Sequence, residues 1–331
     1  MSSIREVSRV AGVSIATVSR ALSTPEKVSK EALRKVHEAV KKVGYRPNMM
    51  ARNFRAVRAY SIVVLVPNLS NLFFATVIRG IEDAAQQKGY SVLLGDTRDS
   101  IAREEEYTRL VETRQADGIL QLRPHIPGKS LEPKPDIPIV SAAGCEDTPY
   151  PSVRIDNAGA AEEVVDYLIA QGHQRIGVLA GLSDNPHSRD RLLGYRTSLK
   201  RASIPLDEDL LVNGDFTMGS GLMAASHFAR MKNRPTAIFS MNDEMAIGCI
   251  QGLKSAGIKV PQEMSITGFD DIEFARYSDP PLTTVSQPAE ELGRASFNTL
   301  LELIEGKELQ QTETVLPYDF VVRKSTPPLP R

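Results

Sequence analysis

Residues 7–55 read VSRVAGVSIATVSRALSTPEKVSKEALRKVHEAVKKVGYRPNMMARNFR. Helical spacing enters this stretch through Ile4, Val7, Val10 and Ala11 and stops at Gly12, which is free to take the left-handed conformation that ends a helix. Val13 reads as a buried turn residue and Ser14 as the N-cap of a second helix over 15–22, with Val18 and Leu22 inward. Two short helices about a tight Gly turn predict a helix-turn-helix. Ser23, Thr24 and Pro25 then break the chain, and Ser29 can cap a third helix that carries Leu33, Val36, Val40 and Val43 inward until Gly44. On the outward face of the second helix stand Ile15, Ala16, Thr17, Ser19 and Arg20, small or hydrogen-bonding side chains that fit a DNA major groove. The plainer alternative is a small helical domain with a solvated basic surface. Residues 48–55 can form only about two turns, too short for a stable helix in water without a partner.

Charge separates this segment from the rest. Residues 1–58 hold 13 Lys/Arg against 4 Asp/Glu, a net of +9, which leaves −10 for the other 273 residues of a chain whose total is −1. A basic head on an acidic body points to a polyanionic partner for the head. At 331 residues and 41% hydrophobic content the chain has room for two or three domains. No apolar run approaches the ~18 residues of a membrane span, and the opening MSSIREVSRV lacks the apolar stretch of a signal peptide. A cytoplasmic protein with no membrane partner is expected. Cys145 and Cys249 stand far apart and read as two structural thiols.

From Ser61 onward, short β-branched runs alternate with amphipathic helical stretches, the pattern of parallel sheets covered on both faces. Strands are predicted at SIVVLV, YSVLLGD, ADGILQL, DIPIVSA, SVRID, RIGVLAG, LLVNGD, TAIFS and MSITGFD, with helices beginning near Phe74, Arg103, Gly159, Arg191, Gly219, Asp243 and Glu291. A restart near Asn157 predicts two α/β lobes, one from 60–156 and 288–317, the other from 157–287 and 318–331, with a last strand around 319–323 finishing the second. An open α/β sheet binds ligands beyond the carboxyl ends of its strands. The residues there are Asn71, Phe73, Phe74, Asp96, Arg191, Phe216, Asn242, Asp270 and Gln287. A guanidinium, carboxylates, amides and aromatic faces suit a neutral polyhydroxylated ligand and read like a ribose-containing site. As plainer alternatives, Asp96 can cap a helix, Phe74 can be half core, and Asp271 can be a solvated neighbour.

Enzyme chemistry finds little footing. Gly219, Gly221 and Ala224 fit a loose G-x-G-x-x-[GA] pattern with Asp243 about twenty residues on, but three residues separate the strand from Gly219, and helix-start glycines explain it as well. Residues 181–185 begin like a nucleophile elbow and lack its second Gly. The five His are dispersed, with no metal-binding spacing and no phosphate-binding loop. No catalytic residue, metal or cofactor is assigned.

The opening stretch resembles a LacI/GalR headpiece from end to end, in its A-G-V-S turn, T-V-S-R helix, V-G-Y-x-P-N exit and A-R-N-x-R hinge. The resemblance implies a headpiece over 1–46 and a hinge helix and linker over 47–59. It implies that Ile15, Ala16 and Arg20 lie nearest base edges, and that Ser14, Thr17, Ser19 and Asn48 face phosphates or backbone. The hinge, which includes Ala51, would pair with its dimer mate in the minor groove, with Phe54 where the family wedges a Leu. The alternative is that Phe54 packs under the core. The body resembles the family's two-lobed core and its periplasmic sugar-binding relatives, most tellingly in GFDDIEFARYSDPPLTTVSQP at 268–288. A three-helix DNA-binding domain joined to a periplasmic-binding-protein-like (type I) α/β core is therefore expected. The implied function is a repressor that binds a palindromic double-stranded operator as a homodimer under the control of a small effector. The Pro-rich end RKSTPPLPR carries no leucine heptad, which predicts a dimer and not a tetramer. Within the family the chain resembles the cytidine-responsive repressors through I-R-G-I-E, L-x-G-D, G-D-F-T and D-P-P-L-T-T, and departs from them at Ala143 and Asn242. A nucleoside effector is expected, with free ribose or a purine base as alternatives. A solute-binding protein for a transporter is the remote one, and would need export and no basic head.

Overall fold

A computed structural model of the chain describes residues 3–23, 25–45, 58–98, 100–122, 136–144 and 149–327. Asn48, Ala51, Phe54 and Cys145 lie outside the described residues. The chain divides into two compact units, Met1–Ala59 and Tyr60–Arg331.

In the first unit, α1 (Ile4–Ala11) is capped by Ser3 and ended by Gly12 at φ 65, and α2 (Ile15–Ser23) starts where Ser14 Oγ accepts from the Thr17 N–H at 3.1 Å. After a 3-10 turn over Pro25–Lys27, Ser29 caps α3 (Lys30–Val43), which Gly44 ends at φ 64. Val7, Ala11, Val18, Ala21, Val36 and Ala39 form the core. Val10, expected inside, is 37% exposed. At ~100° per residue it falls about 60° beyond Val7, on the side away from Ile4 and Ala11. The buried alanines bring the helices close enough for so thin a core to close.

The second unit has two lobes. The first contains β1 (Ser61–Val66), α4 (Leu72–Gln87), β2 (Ser91–Asp96), α5 (Ile101–Glu112), β3 (Ile119–Gln121), β4 (Ile139–Ala142) and β5 (Ser152–Arg154). The second contains α6 (Asn157–Ala170), β6 (Ile176–Ala180), α7 (Pro186–Arg201), β7 (Leu211–Asn213), α8 (Met218–Arg230), β8 (Ala237–Ser240), α9 (Asp243–Ser255), β9 (Ser265–Thr267), α10 (Glu273–Tyr277) and β10 (Thr284–Ser286). The chain returns to the first lobe for α11 (Ala289–Ile304) and β11 (Glu313–Val315), then re-enters the second at β12 (Asp319–Val321). The sheets are parallel, ordered β11-β5-β4-β3-β1-β2 and β7-β6-β8-β9. Apolar strands such as β1, buried along Ile62–Val66, need cover on both faces, which the helices supply.

The last strand lies in the second lobe, where β12 pairs antiparallel with β10, which meets the end of β9 through the bridges Thr267–Thr283 and Asp270–Ser286. One expectation is corrected here. The helix expected near Arg191 starts at Pro186, because Asn185 Oδ1 accepts from the His187 N–H at 2.8 Å and Pro186 takes the first helical position. Cys249 is buried in α9, and burial pushes its thiol up to about 12.

Each lobe closes on a pair of helices whose backbones touch. A Cβ on Gly221 would overlap the Met245 carbonyl, and one on Gly248 the Met218 carbonyl. In the first lobe, Gly80 meets Glu290 and Gly293 meets the Val77 carbonyl in the same way. The G-x-G of α8 thus includes a helix-packing glycine. Gly248→Ala is expected to lower stability to urea by roughly 1–3 kcal/mol. Gly219→Ala, where a Cβ meets only Thr217 Oγ1 at 3.7 Å, should be neutral or stabilising by up to about 1 kcal/mol. Equal effects of the two substitutions would contradict the close approach of α8 and α9.

Candidate functional site

The head presents its outward surface on α2. Ile15 is 44% exposed, Ser14, Ala16 and Arg20 are exposed, and Thr17 and Ser19 are half-buried. Ser14 and Thr17 share a 2.8 Å hydroxyl hydrogen bond, and Arg20 Nε reaches back to the Ala16 carbonyl at 3.4 Å. An apolar and a cationic side chain thus share one face of a short helix, beside two hydroxyls.

The second unit carries a cleft that encloses ≈ 880 Å³ of non-atom space, open solvent included. It lies where the strands of both lobes end. Of the expected residues, Asn71, Phe73, Phe74, Arg191, Phe216, Asn242, Asp270 and Gln287 line it. Asp96 does not. It ends β2, the edge strand of its sheet, and pairs with Arg98 at 2.9 Å.

Asn71 caps α4 by accepting from the Phe74 N–H, which sets Phe73 and Phe74 with ring centroids 5.7 Å apart. Asn242 does the same for α9 through the Met245 N–H at 2.9 Å, and its Nδ2 donates to the Phe216 carbonyl at 2.9 Å. Phe216, at φ 65, lays its ring on Gly181, where any Cβ would overlap it. Arg191 is buried in the second turn of α7. Its Nε donates to Asn157 Oδ1 at 2.9 Å, its Nη1 donates to the Met241 carbonyl, and its guanidinium carbon lies 3.6 Å from the Phe269 ring centroid. Asp270 Oδ1 stands 3.8 Å from Arg191 Nη2, too far for a direct hydrogen bond, and accepts from Gln287 Nε2 at 2.7 Å. Burial lowers Arg191 to about 10 and lifts Asp270 to about 7 against the opposing pull of Arg191 and Gln287. Asp271 is no solvated neighbour: its buried carboxylate accepts from Arg323 Nη2 at 2.6 Å.

Sequence reasoning passed over Asn68, Asn157, Asn185, His187 and Asp215, which also line the cleft. Asn157 and Asn185 follow β5 and β6 at helix starts, the rule that found Asn71 and Asn242. Placing the start of α7 at Arg191 hid Asn185 and His187.

Residues 3–48 match the bacterial regulatory proteins of the lacI family, and residues 165–326 match a periplasmic binding protein-like domain. The HTH-type transcriptional repressor CytR of Escherichia coli (strain K12) is 38% identical over 330 residues, 99% of this chain and 97% of that protein. The chain belongs to the LacI family. The HTH-type transcriptional repressor PurR of Photobacterium profundum is 33% identical over 329 residues, 98% of each chain. Among solved structures, the lac repressor dimer bound to operator and the anti-inducer ONPF superposes at TM-score 0.86 with 27% identity over 98% of both chains. The transcriptional regulator CelR in complex with cellobiose gives 0.73 with 29% identity over 98% of this chain and 99% of that one. This LacI-family chain is a transcriptional repressor, not an enzyme, and no described helix is long and apolar enough to cross a membrane.

The raised carboxyl of Asp270 has a consequence for stability. A carboxyl whose folded pKa of about 7 exceeds its unfolded ~3.9 stabilises the fold fully below the unfolded value, and that contribution is lost as pH rises through the folded value. Asp270→Asn stays neutral and still accepts from Gln287. Between about pH 4 and about pH 7 the unchanged protein should lose a few kcal/mol more stability to urea than the variant. Parallel curves would mean that Asp270 is ionised throughout.

Proposed function

We propose that this LacI-family repressor binds a palindromic operator as a homodimer, and that a nucleoside held in the cleft between its lobes controls that binding. The observation that carries the ligand reading is the gap between Arg191 and Asp270. A cationic donor and a carboxylate acceptor, both buried and 3.8 Å apart, leave room for a hydroxyl that accepts from one and donates to the other. Both side chains are buried, so a ligand that completes their hydrogen bonding offsets part of the desolvation cost. Vicinal ribose hydroxyls meet that demand, and Phe216 and Phe73 offer faces for a ring. The pentose falls to Arg191, Asp270 and Gln287. Asp96 is outside the lining, and Asn242 spends its amide on Met245 and Phe216.

The α2 surface supports operator binding, with Ile15 and Ala16 on thymine methyls or groove shape, Arg20 on a base edge, and Ser14, Thr17 and Ser19 near the backbone. Asn48, Ala51 and Phe54 keep the hinge roles that family membership implies, with Phe54 as the minor-groove wedge. Dimerisation is supported by exposed apolar residues in both lobes: Leu93 and Leu94 on edge strand β2, 40% and 42% exposed, and Phe274 and Tyr277 on α10. An operator on the chromosome places the protein in the cytoplasm. Control is a population shift, in which a ligand that prefers one relation of the lobes changes operator affinity by its differential binding.

On operator fragments selected from genomic DNA, Arg20→Ala should weaken binding by roughly 1–3 kcal/mol and leave ligand affinity unchanged. Full affinity for a single half-site, or sedimentation as a monomer, would refute the dimeric reading.

Calorimetry with cytidine, uridine, adenosine and ribose tests the cleft. Arg191→Ala and Asp270→Ala should each weaken the pentose-bearing ligand by about a hundredfold, as loss of a buried charged partner does. Tight binding of a ligand without a pentose, untouched by both substitutions, would sink the nucleoside assignment.

A further inference from the structure

The Asp270 carboxylate is held in the cleft from a distance. Arg323, two residues past β12 and outside the cleft lining, is mostly buried, and its guanidinium divides between two partners. Its Nη2 donates to Asp271 Oδ1 at 2.6 Å and its Nη1 to the Leu282 carbonyl at 2.8 Å. Its backbone N–H donates to Thr283 Oγ1 at 2.9 Å, and the Lys324 N–H to the Pro281 carbonyl at 3.0 Å. The residue is thus fastened to the stretch that leads into β10, and its side chain reaches Asp271 from that footing. Arg276 approaches the other Asp271 oxygen only to 3.7 Å, from an exposed position.

Asp271 needs such a partner. Its carboxylate is buried, and it follows Asp270 in a loop where both residues take positive φ, 113 and 54. Strained backbone of this kind persists only where its surroundings hold it. On one side the loop is tied by the Asp270 N–H to the Val285 carbonyl at 2.8 Å, on the other by the Ile272 N–H to Asp243 Oδ2 at 2.9 Å. Between these ties, residue 271 is fixed by Arg323.

We propose that Arg323 is a positioning residue of the ligand site: by holding Asp271 it keeps the loop in its strained form and the Asp270 carboxylate aimed at the gap beside Arg191. The inference rests on the reading of that gap as the ligand site. Arg323 lies outside the lining, so its effect on the ligand passes through Asp270. The placement of the brace also ties the site to the lobe crossings. Arg323 continues β12, where the chain returns from the first lobe, and β12 pairs with β10, whose next residue, Gln287, donates to Asp270 Oδ1 at 2.7 Å. Two supports of the carboxylate, one through Asp271 and one direct, are therefore carried by two paired strands that join the lobes. Whatever shifts those strands shifts the acceptor.

Asp271→Gly separates this role from a merely structural one. Glycine takes positive φ without strain, so the substitution removes the carboxylate and the cost of holding it in one step. In calorimetry on the full-length protein with cytidine, uridine and adenosine, Asp271→Gly and Arg323→Met should each weaken the nucleoside that binds by about tenfold. Arg323→Lys, which keeps a charge on Asp271 without the fork, should stay within about threefold of the unchanged protein. In an Asp270→Ala background, Asp271→Gly should cost less than about twofold more. Unchanged affinity in Asp271→Gly, or a full loss that persists in the Asp270→Ala background, overturns the proposal. If none of these nucleosides binds, the nucleoside reading fails, and a readout without ligand decides the role of Arg323. The charged groups that face Asp270 are Arg191 on α7 and Glu244 and Asp243 on α9, and burial raises its carboxyl to about 7. The stability this carboxyl contributes at low pH and loses as pH rises is measured by comparing each protein with its Asp270→Asn counterpart in urea between about pH 4 and about pH 7. Without the brace the carboxyl turns to water, so in Asp271→Gly that difference should shrink to less than about a third. An undiminished difference overturns the positioning role.

Discussion

A carboxyl group with no access to water organises the second lobe. Asp243, at the start of α9, accepts from Thr284 Oγ1 at 2.6 Å and from the Ile272 N–H at 2.9 Å, and donates its own N–H to the Phe269 carbonyl at 2.9 Å. Gly268 packs against Oδ1 so closely that no side chain fits there. One residue therefore ties a helix start to β10 and to the loop over 268–272. Burial and the nearby Asp270 carboxylate raise Asp243 well above the ordinary carboxyl range, so losing either hydrogen-bond donor would leave an acceptor stranded. The loop it holds is strained. Asp270 at φ 113 and Asp271 at φ 54 sit in backbone regions that cost roughly 1–3 kcal/mol each for a residue with a side chain. The strain persists because each residue is over-determined, Asp270 by Gln287 and by its N–H on the Val285 carbonyl, Asp271 by Arg323. Its result is that Asp270 points a carboxylate into the cleft beside Arg191.

Arg191 meets the same constraint with the opposite sign. A buried guanidinium has five N–H donors to satisfy, and two go to Asn157 and Met241 while Phe269 covers one face. The Asp270 carboxylate is near enough to offset its charge and too far to close the hydrogen bond. A closed Arg–Asp pair would be a structural strut. The open one leaves a guanidinium donor and a carboxyl acceptor for a third group, and the proposed ligand reading rests on that.

The fold was legible because its signals are local. Apolar β-branched runs, caps and glycines specify elements one at a time, and the alternation of strand and helix specifies parallel sheets. Strand order is not local, and it accounts for Asp96. The rule that ligands gather at strand ends holds near the middle of a sheet, whereas β2 is an edge strand whose end turns to Arg98 and Arg103. Phe216 follows another edge strand, β7, and still reaches the cleft, because the bare Gly181 lets its ring fold inward. No pattern within β2 or β7 alone distinguishes these cases. Asp271 was read as solvated for the same reason, since its partner Arg323 lies 52 residues away. His187 was missed through a boundary: its ring enters the cleft only if α7 starts at Pro186, and the capping role of Asn185 was the available signal.

The division of the cleft between the lobes explains how occupancy can be felt outside it. The second lobe supplies the charged and most of the amide groups, while the first supplies Phe73, Phe74 and the backbone around Ala143. Among the described residues, the polar links that cross from lobe to lobe beside the cleft include the Leu72 N–H on Glu244 Oε1 at 3.4 Å. Burial raises the Glu244 carboxyl, so that link is weaker than an exposed carboxylate at a helix N-terminus would make it. A ligand that touched both lobes would add its binding energy to one relation of the lobes alone. By linkage, whatever favours that relation elsewhere on the chain must change ligand affinity by the same factor.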